Sequence, residues 1–243
     1  MSYVKNAVVT STATCDGIDG ATWKSVIISS EDTNYKPGQF LMVSPSAGIV
    51  AGWPSPLMIQ RSFTQGFEVI VHPDSPLFSL QIGAPLVIWG PNGKAPAIEG
   101  KFSVISDAKG LILGGPIIHA WKNRCSAVYM AGSYCEEATI SFLKGVPVKK
   151  ADLKTRVKKE DEELLVILPL EEFAKWKQAY PEILDNSIAF IGAKIGCGIG
   201  ACRGCFIHSG PKSTGIAVCQ EGPFMRVGEI DYTKDQNFLG HYI

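Results

Sequence analysis

No charge of one sign dominates this chain. Lys plus Arg and Asp plus Glu each total 23 of its 243 residues, so the formal net charge is zero. The basic excess that would suggest nucleic acid or an anionic lipid surface as a partner is therefore missing. Long hydrophobic runs are missing too: stretches such as LLVILPL at 164–170 fall far short of the roughly 20 apolar residues that span a bilayer. The expectation is a cytoplasmic protein with no direct membrane insertion. Histidine is scarce: His72, His119, His208 and His241 are dispersed, with no Ser/His/Asp constellation around them, and each reads as a surface or packing residue instead of a catalytic base. The seven cysteines are an odd number, and nothing at the start of the sequence resembles a secretory signal, which argues against a disulfide framework.

What is present is concentrated near the C-terminus. Cys197, Cys202, Cys205 and Cys219 form a C-x4-C-x2-C-x13-C array within GCGIGACRGCFIHSGPKSTGIAVC, a spacing that reads as the ligand set of a [2Fe–2S] cluster. Thiolates this close in sequence can wrap a small cluster only if the backbone turns sharply, and Gly196, Gly198, Gly200 and Gly204 supply residues that tolerate positive φ. Structural zinc is the main alternative, but zinc sites usually pair their ligands as C-x2–4-C twice, and here only Cys202 and Cys205 form such a pair. A Rieske-type site would need two histidines, and only His208 is near. Cys15, Cys125 and Cys135 fit no second site and default to small buried apolar residues. The loop residues Ile199, Ala201 and Arg203 are expected at or near a docking surface, and Phe206 and Ile207 in the core.

The rhythm of the chain changes twice. Residues 1–98 hold short strand-like runs (VKNAVVTS, WKSVIIS, QFLMVS, PLMIQRS, FEVIV, PLVIW) separated by turns such as DGIDG, KPGQ and GPNGK, the signature of a small antiparallel barrel or sandwich. Residues 99–192 alternate strand and helix: FSVIS, GLILGG before PIIHAWKNR, AVYMAG before EEATISFLKG, ELLVILP before LEEFAKWKQA, then SIAFIG. That alternation implies an α/β domain with a parallel sheet. Residues 193–243 hold the cysteine array and a tail, IAVCQEGPFMRVGEIDY, with one or two strands. The fold class expected is α+β multidomain. The mixed-sign stretch at 149–163 reads as a solvated face.

Barrel, βαβ domain and a C-terminal CGIGACRGC followed by Cys219, Gln220, Glu221, Gly222 and Pro223 together resemble the electron-transfer subunit of dihydroorotate dehydrogenase B. The resemblance implies a ferredoxin-reductase-like antiparallel β-barrel that binds FAD, a middle domain like the NAD(P)-binding half of ferredoxin reductases, and the four cysteines as ligands of a cluster. It also implies a catalytic redox subunit as partner in a hetero-oligomeric complex. The other family motifs are weakly matched. The flavin signature R-P-x-S corresponds to Ser55-Pro56-Leu57-Met58, without its arginine and serine, and Arg61 lies about 20 Å further along the strand. A G-x-G-T turn is replaced by His72-Pro73-Asp74-Ser75-Pro76, whose proline and aspartate act against pyrophosphate binding. Gly90-Pro91-Asn92-Gly93 matches the family's G-P-x-G turn. Candidate FAD contacts are therefore Ser55, Pro56, Leu57, Met58 and Gly90. For the nicotinamide site, Gly114-Gly115-Pro116-Ile117-Ile118 stands where G-G-G-x-G-x-x-P is expected, and Ala131-Gly132-Ser133-Tyr134 lacks a phosphate-binding arginine, which argues against direct NAD(P)H oxidation. The chain is expected to be an electron-transfer subunit of a multi-subunit oxidoreductase that relays single electrons, with FAD or, alternatively, as a cluster-only relay or scaffold subunit that has lost its nucleotides.

Overall fold

The computed structural model describes residues 4–16, 21–31, 34–46, 54–131, 143, 145–151, 161–209 and 214–231. Six antiparallel strands, β1 (Lys5–Asp16), β2 (Thr22–Ser29), β3 (Phe40–Pro45), β4 (Ser55–Phe63), β5 (Gly66–Val71) and β6 (Pro85–Asn92), close into a barrel in the order β1-β2-β5-β4-β3-β6. The barrel expected from the family resemblance is thus present, and its interior holds Val26, Ile28, Leu41, Val43, Ile59, Phe67, Val69 and Leu86. Closure leaves no open sheet edge to template aggregation.

Strands β3 and β4 show how the barrel meets the rest of the chain. Successive side chains in a strand point to opposite faces. Leu41, Val43, Leu57 and Ile59 fill the barrel, whereas Phe40, Met42 and Met58 point the other way into a second core. Both faces are buried, which is why FLMV in β3 runs apolar without alternation.

That second core belongs to a six-stranded sheet of order β14-β11-β10-β7-β8-β9, formed by β7 (Phe102–Ser106), β8 (Cys125–Ala131), β9 (Val148–Ala151), β10 (Glu163–Ile167), β11 (Ile188–Phe190) and β14 (Phe224–Arg226). All neighbours are parallel except β14, which runs antiparallel to β11. Helices α1 (Ala108–Ala120), α2 (Leu170–Ala179) and α3 (Pro181–Asp185) fill connections. The segment EEATISFLKG lies mostly outside the described residues. Among them, no helix is long and apolar enough to cross a membrane.

One expected strand is a helix. GLILGG continues into PIIHA as α1, started by Asp107, whose carboxylate accepts from the Gly110 N–H at 2.7 Å. Every residue from Gly110 to Ile118 is buried, so the helix shows no polar face and its run of apolar residues mimics a buried strand. Gly110 and Gly114 let α1 lie close on β10: a Cβ at Gly110 would stand 2.3 Å from the Ile167 carbonyl oxygen, and one at Gly114 2.4 Å from Ile167 Cδ1. Pro116, inside α1, has no N–H for the carbonyl of Ile112. Gln60 of β4 reaches across from the barrel and donates to that carbonyl at 3.4 Å, tying the two units together.

The C-terminal part contributes a hairpin, β12 (Phe206–Ser209) with β13 (Thr214–Ala217), one turn of helix α4 (Val218–Glu221), and then β14, which enters the large sheet. The cysteine loop is therefore held on both sides by elements that pack into the main core.

Candidate iron–sulfur loop and the adjoining cavity

The loop that follows β11 is anchored to the barrel. The Trp89 indole on β6 donates to the Cys197 carbonyl at 2.7 Å, Gln220 donates to the Gly198 carbonyl at 3.1 Å, and the Lys94 N–H donates to the Gly222 carbonyl at 2.7 Å. Lys94 also forms an ion pair with Glu221. Gly198, at φ 72°, sits where a Cβ would meet Met42 Cγ at 2.5 Å and Trp89 Nε1 at 3.0 Å. Left-handed backbone and close approach both require glycine there. Of the four glycines expected to supply positive φ, Gly198 and Gly200 do so. Gly196 and Gly204 do not; Arg203 takes a left-handed conformation instead, at φ 58°.

These turns aim amides at sulfur. Gly200 N–H donates to Cys219 Sγ at 3.2 Å, Cys202 N–H to Cys197 Sγ at 3.4 Å, Gly204 N–H to Cys202 Sγ at 3.4 Å and Cys219 N–H to Cys205 Sγ at 3.5 Å. The thiols interact with one another: Cys197 with Cys202 and Cys219, and Cys205 with Cys219. Burial pushes the Cys197 thiol up, but backbone amides of Cys202, Ile199 and Ala201 and the Cys202 side chain together bring it down to about 7. A hydrogen bond from Cys219 is the main reason Cys205 lies lower still, at about 6, with burial opposing. Cys219, the donor of that bond and also buried, is raised. Among the described residues no three His, Cys, Asp or Glu side chains converge on a single ion. Four thiols that accept from backbone N–H groups are a suitable donor set for an iron–sulfur cluster. The remaining described cysteine, Cys125, is buried and pushed up to about 12, chiefly by desolvation, and behaves as an inert core residue. The side chain of Cys15 and all of Cys135 lie outside the described residues.

Ile199 is 52% exposed, and Ala201, Cys202, Arg203 and Gly204 are exposed around it. Ile207 is buried as expected. Phe206 is only half-buried, because it covers Gly215 across the hairpin at the molecule's surface. His208 is exposed.

A cavity of about 800 Å³ lies between barrel, sheet and cysteine loop, within the size range of small-molecule and cofactor sites. Its wall includes Ser55, Pro56 and Leu57 of β4, Ile70 of β5, the stretch His72 to Pro76, Lys109 of α1, the run Ala193 to Gly196, and Cys202 and Gly204 of the cysteine loop. Of the candidate FAD contacts, Ser55, Pro56 and Leu57 come together here. Met58 is not on this wall, since it faces the second core, and neither is Gly90, which follows the loop-anchoring Trp89 on β6. Arg61 is exposed, paired with Glu68 and stacked over Phe63, away from the cavity. Lys109 and Lys194 are cavity residues that sequence reasoning missed.

The turn expected to receive a nicotinamide nucleotide is misplaced by the sequence reading. Gly114 to Ile118 lie within α1, and Ile117 and Ile118 are core residues without access to a ligand. The strand-to-helix turn is Ser106-Asp107-Ala108-Lys109-Gly110, and the Asp107 carboxylate occupies the helix N-terminus that would otherwise face a phosphate. Ala131 ends β8, and Gly132 to Tyr134 lie outside the described residues.

Comparison with solved structures defines the class: a ferredoxin-reductase-like fold. A chain of the NADH-dependent reduced ferredoxin-NADP oxidoreductase, solved in a study of flavin-based electron bifurcation, superposes with a TM-score of 0.72 at 16% identity, over 93% of this chain and 90% of its own length. The ferredoxin NADP+ reductase of Neisseria gonorrhoeae, solved with FAD and NADP, gives 0.52 at 12% identity over 74% of this chain and 91% of its own. The flavohemoglobin of Malassezia yamatoensis, solved with FAD and heme, gives 0.56 at 13% over 74% and 57%. No curated protein matches the sequence. Residues 193–231 match the family described as the iron-sulfur cluster binding domain of dihydroorotate dehydrogenase B. The chain thus has a ferredoxin-reductase-like fold and, over residues 193–231, is similar to the iron-sulfur cluster binding domain of dihydroorotate dehydrogenase B, which supports an electron-transfer role.

Proposed function

We propose that the chain is the electron-transfer subunit of a multi-subunit oxidoreductase, holding a [2Fe–2S] cluster on Cys197, Cys202, Cys205 and Cys219 beside an FAD site. The observation that carries this reading is the shared wall: Cys202 and Gly204 of the cysteine loop line the same cavity as Ser55, Pro56 and Leu57 of the barrel. A flavin there would have no layer of protein between it and the loop. The cluster supplies one-electron chemistry when bound. The chain's own residues do the rest. The amides of Gly200, Cys202, Gly204 and Cys219 point at the thiol sulfurs and favour the reduced, more negative state. Trp89 fixes the loop on the barrel, and Gln220 ties it to α4. Ile199, Ala201 and Arg203 present the outer side of the loop to a catalytic redox partner.

A cluster-only relay is the second reading, favoured by the missing arginine and serine of the flavin signature at Ser55 and Met58. Direct oxidation of NAD(P)H is disfavoured by the carboxylate cap on α1. Cofactor analysis of anaerobically purified protein separates the two readings: about two irons and two sulfides with stoichiometric FAD is expected. The same iron and sulfide without flavin would establish the cluster-only relay, and zinc without sulfide would overturn both.

A further inference from the structure

The flavin signature of the barrel lacks its phosphate-binding arginine, yet the cavity is not without cations. Lys109 and Lys194 both line it, and they are the only Lys or Arg side chains among its described lining residues. Their positions follow from the topology. From β7 the chain runs outward to β8 and β9 on one side, then returns to β10 and β11 on the other. In open α/β sheets, ligands bind beyond the carboxyl ends of the strands where the order reverses in this way. Lys109 lies in the first turn of α1, directly after β7, and helical side chains lean toward the helix N-terminus, here toward that carboxyl edge. Lys194 lies just after β11 at the same edge, its backbone fixed by its buried neighbours Ala193 and Ile195.

Helix stability does not account for Lys109, because a cation in the first turn has the wrong sign for the helix dipole. Asp74, the one carboxylate among the described residues of the wall, is 90% exposed and sits 3.3 Å from His72 Nδ1, so its charge is turned to solvent and screened. Ser75 already caps the short 3-10 helix at Pro76–Ser79. Half-buried Lys109 and exposed Lys194 thus border the cavity on its sheet side, and its barrel side is apolar or hydroxylic apart from His72 and Asp74.

Resting on the flavin reading of the cavity, we infer that Lys109 and Lys194 receive the phosphates of the flavin nucleotide, a task that the motif arginine would otherwise perform from the barrel strand. The charge has moved from β4 to the first turn of α1 and the segment after β11, and Ser55 and Met58 need not supply it.

The test is titration of cluster-loaded protein, freed of endogenous flavin, with riboflavin, FMN and FAD, followed by flavin fluorescence. Wild type is expected to bind FMN and FAD more tightly than riboflavin. Lys109→Gln and Lys194→Gln should each weaken FMN and FAD about 10-fold, the size of one charge-assisted hydrogen bond, and leave riboflavin unchanged. Lys109→Arg should retain most of the affinity. Unchanged FAD affinity in both glutamine variants would overturn the inference and leave the flavin reading standing. Equal loss of riboflavin would also overturn it, by showing that the lysines act through packing. Failure of wild type with full iron content to bind any flavin would overturn the flavin reading, and the inference with it.

Discussion

The turn after β7 and the cysteine loop after β11 both leave the carboxyl edge of the sheet, both border the same cavity, and they dispose of their backbone amides in opposite ways. In the β7 turn the Gly110 amide is satisfied from within, by the carboxylate of Asp107. Gly110 and Gly114 of α1 serve the contact with Ile167. In the cysteine loop the amides of Gly200, Cys202, Gly204 and Cys219 go to sulfur. Glycine content alone does not separate a ligand loop from a packing turn. The acceptor that each N–H meets does, and an internal carboxylate that accepts from a helix N-terminal amide leaves that amide unavailable to an anion.

The largest effect that can break this contrast is removal of a ligand. Cys205→Ser should abolish cluster assembly, seen as loss of iron, sulfide and visible absorption, while far-UV circular dichroism stays close to wild type because β14 remains paired with β11. Full iron content in the variant would mean that the amides around Cys205 serve only the fold. A smaller effect is expected at the loop's anchor. Gly198→Ala places a methyl group 2.5 Å from Met42 Cγ at a left-handed residue, and should cost about 2 kcal/mol in urea denaturation together with partial loss of iron. A neutral result would show that the loop can lift from the barrel without losing its geometry.

Much of this was legible in the sequence, for reasons tied to particular residues. All six barrel strands follow from short apolar runs closed by Gly, Pro, Asp and Asn turns, and the cysteine spacing points to a cluster without any coordinates. The failures have physical causes as well. GLILGG was unreadable as helix because α1 is buried on every side, which erases the 3.6-residue signal. That misreading displaced the nucleotide turn from Ser106–Gly110 to Gly114–Ile118. Met58 looks like a flavin residue by its place in the motif, but strand alternation sends it to the other face from Leu57. The hydrogen bond from Trp89 to the Cys197 carbonyl spans 108 residues, and the placing of Lys109 and Lys194 on the wall of one cavity is likewise a product of sheet topology that no local pattern carries.

The smallest predicted effect sharpens the contrast most. Asp107→Ala removes the side chain that satisfies the Gly110 amide, and loss of an N-cap of this kind costs about 1 kcal/mol. The turn then has a free helix N-terminus beside Lys109, yet Ala108 carries a Cβ and Gly110 is still pressed against the Ile167 carbonyl. The variant should therefore lose stability in urea denaturation, keep its iron, and gain no NADH oxidation with an artificial electron acceptor. Measurable NADH oxidation would show that the carboxylate alone separates this turn from a dinucleotide site. A fall in iron content would show that the two turns are coupled through the cavity, so that the amides of one loop depend on the capping of the other.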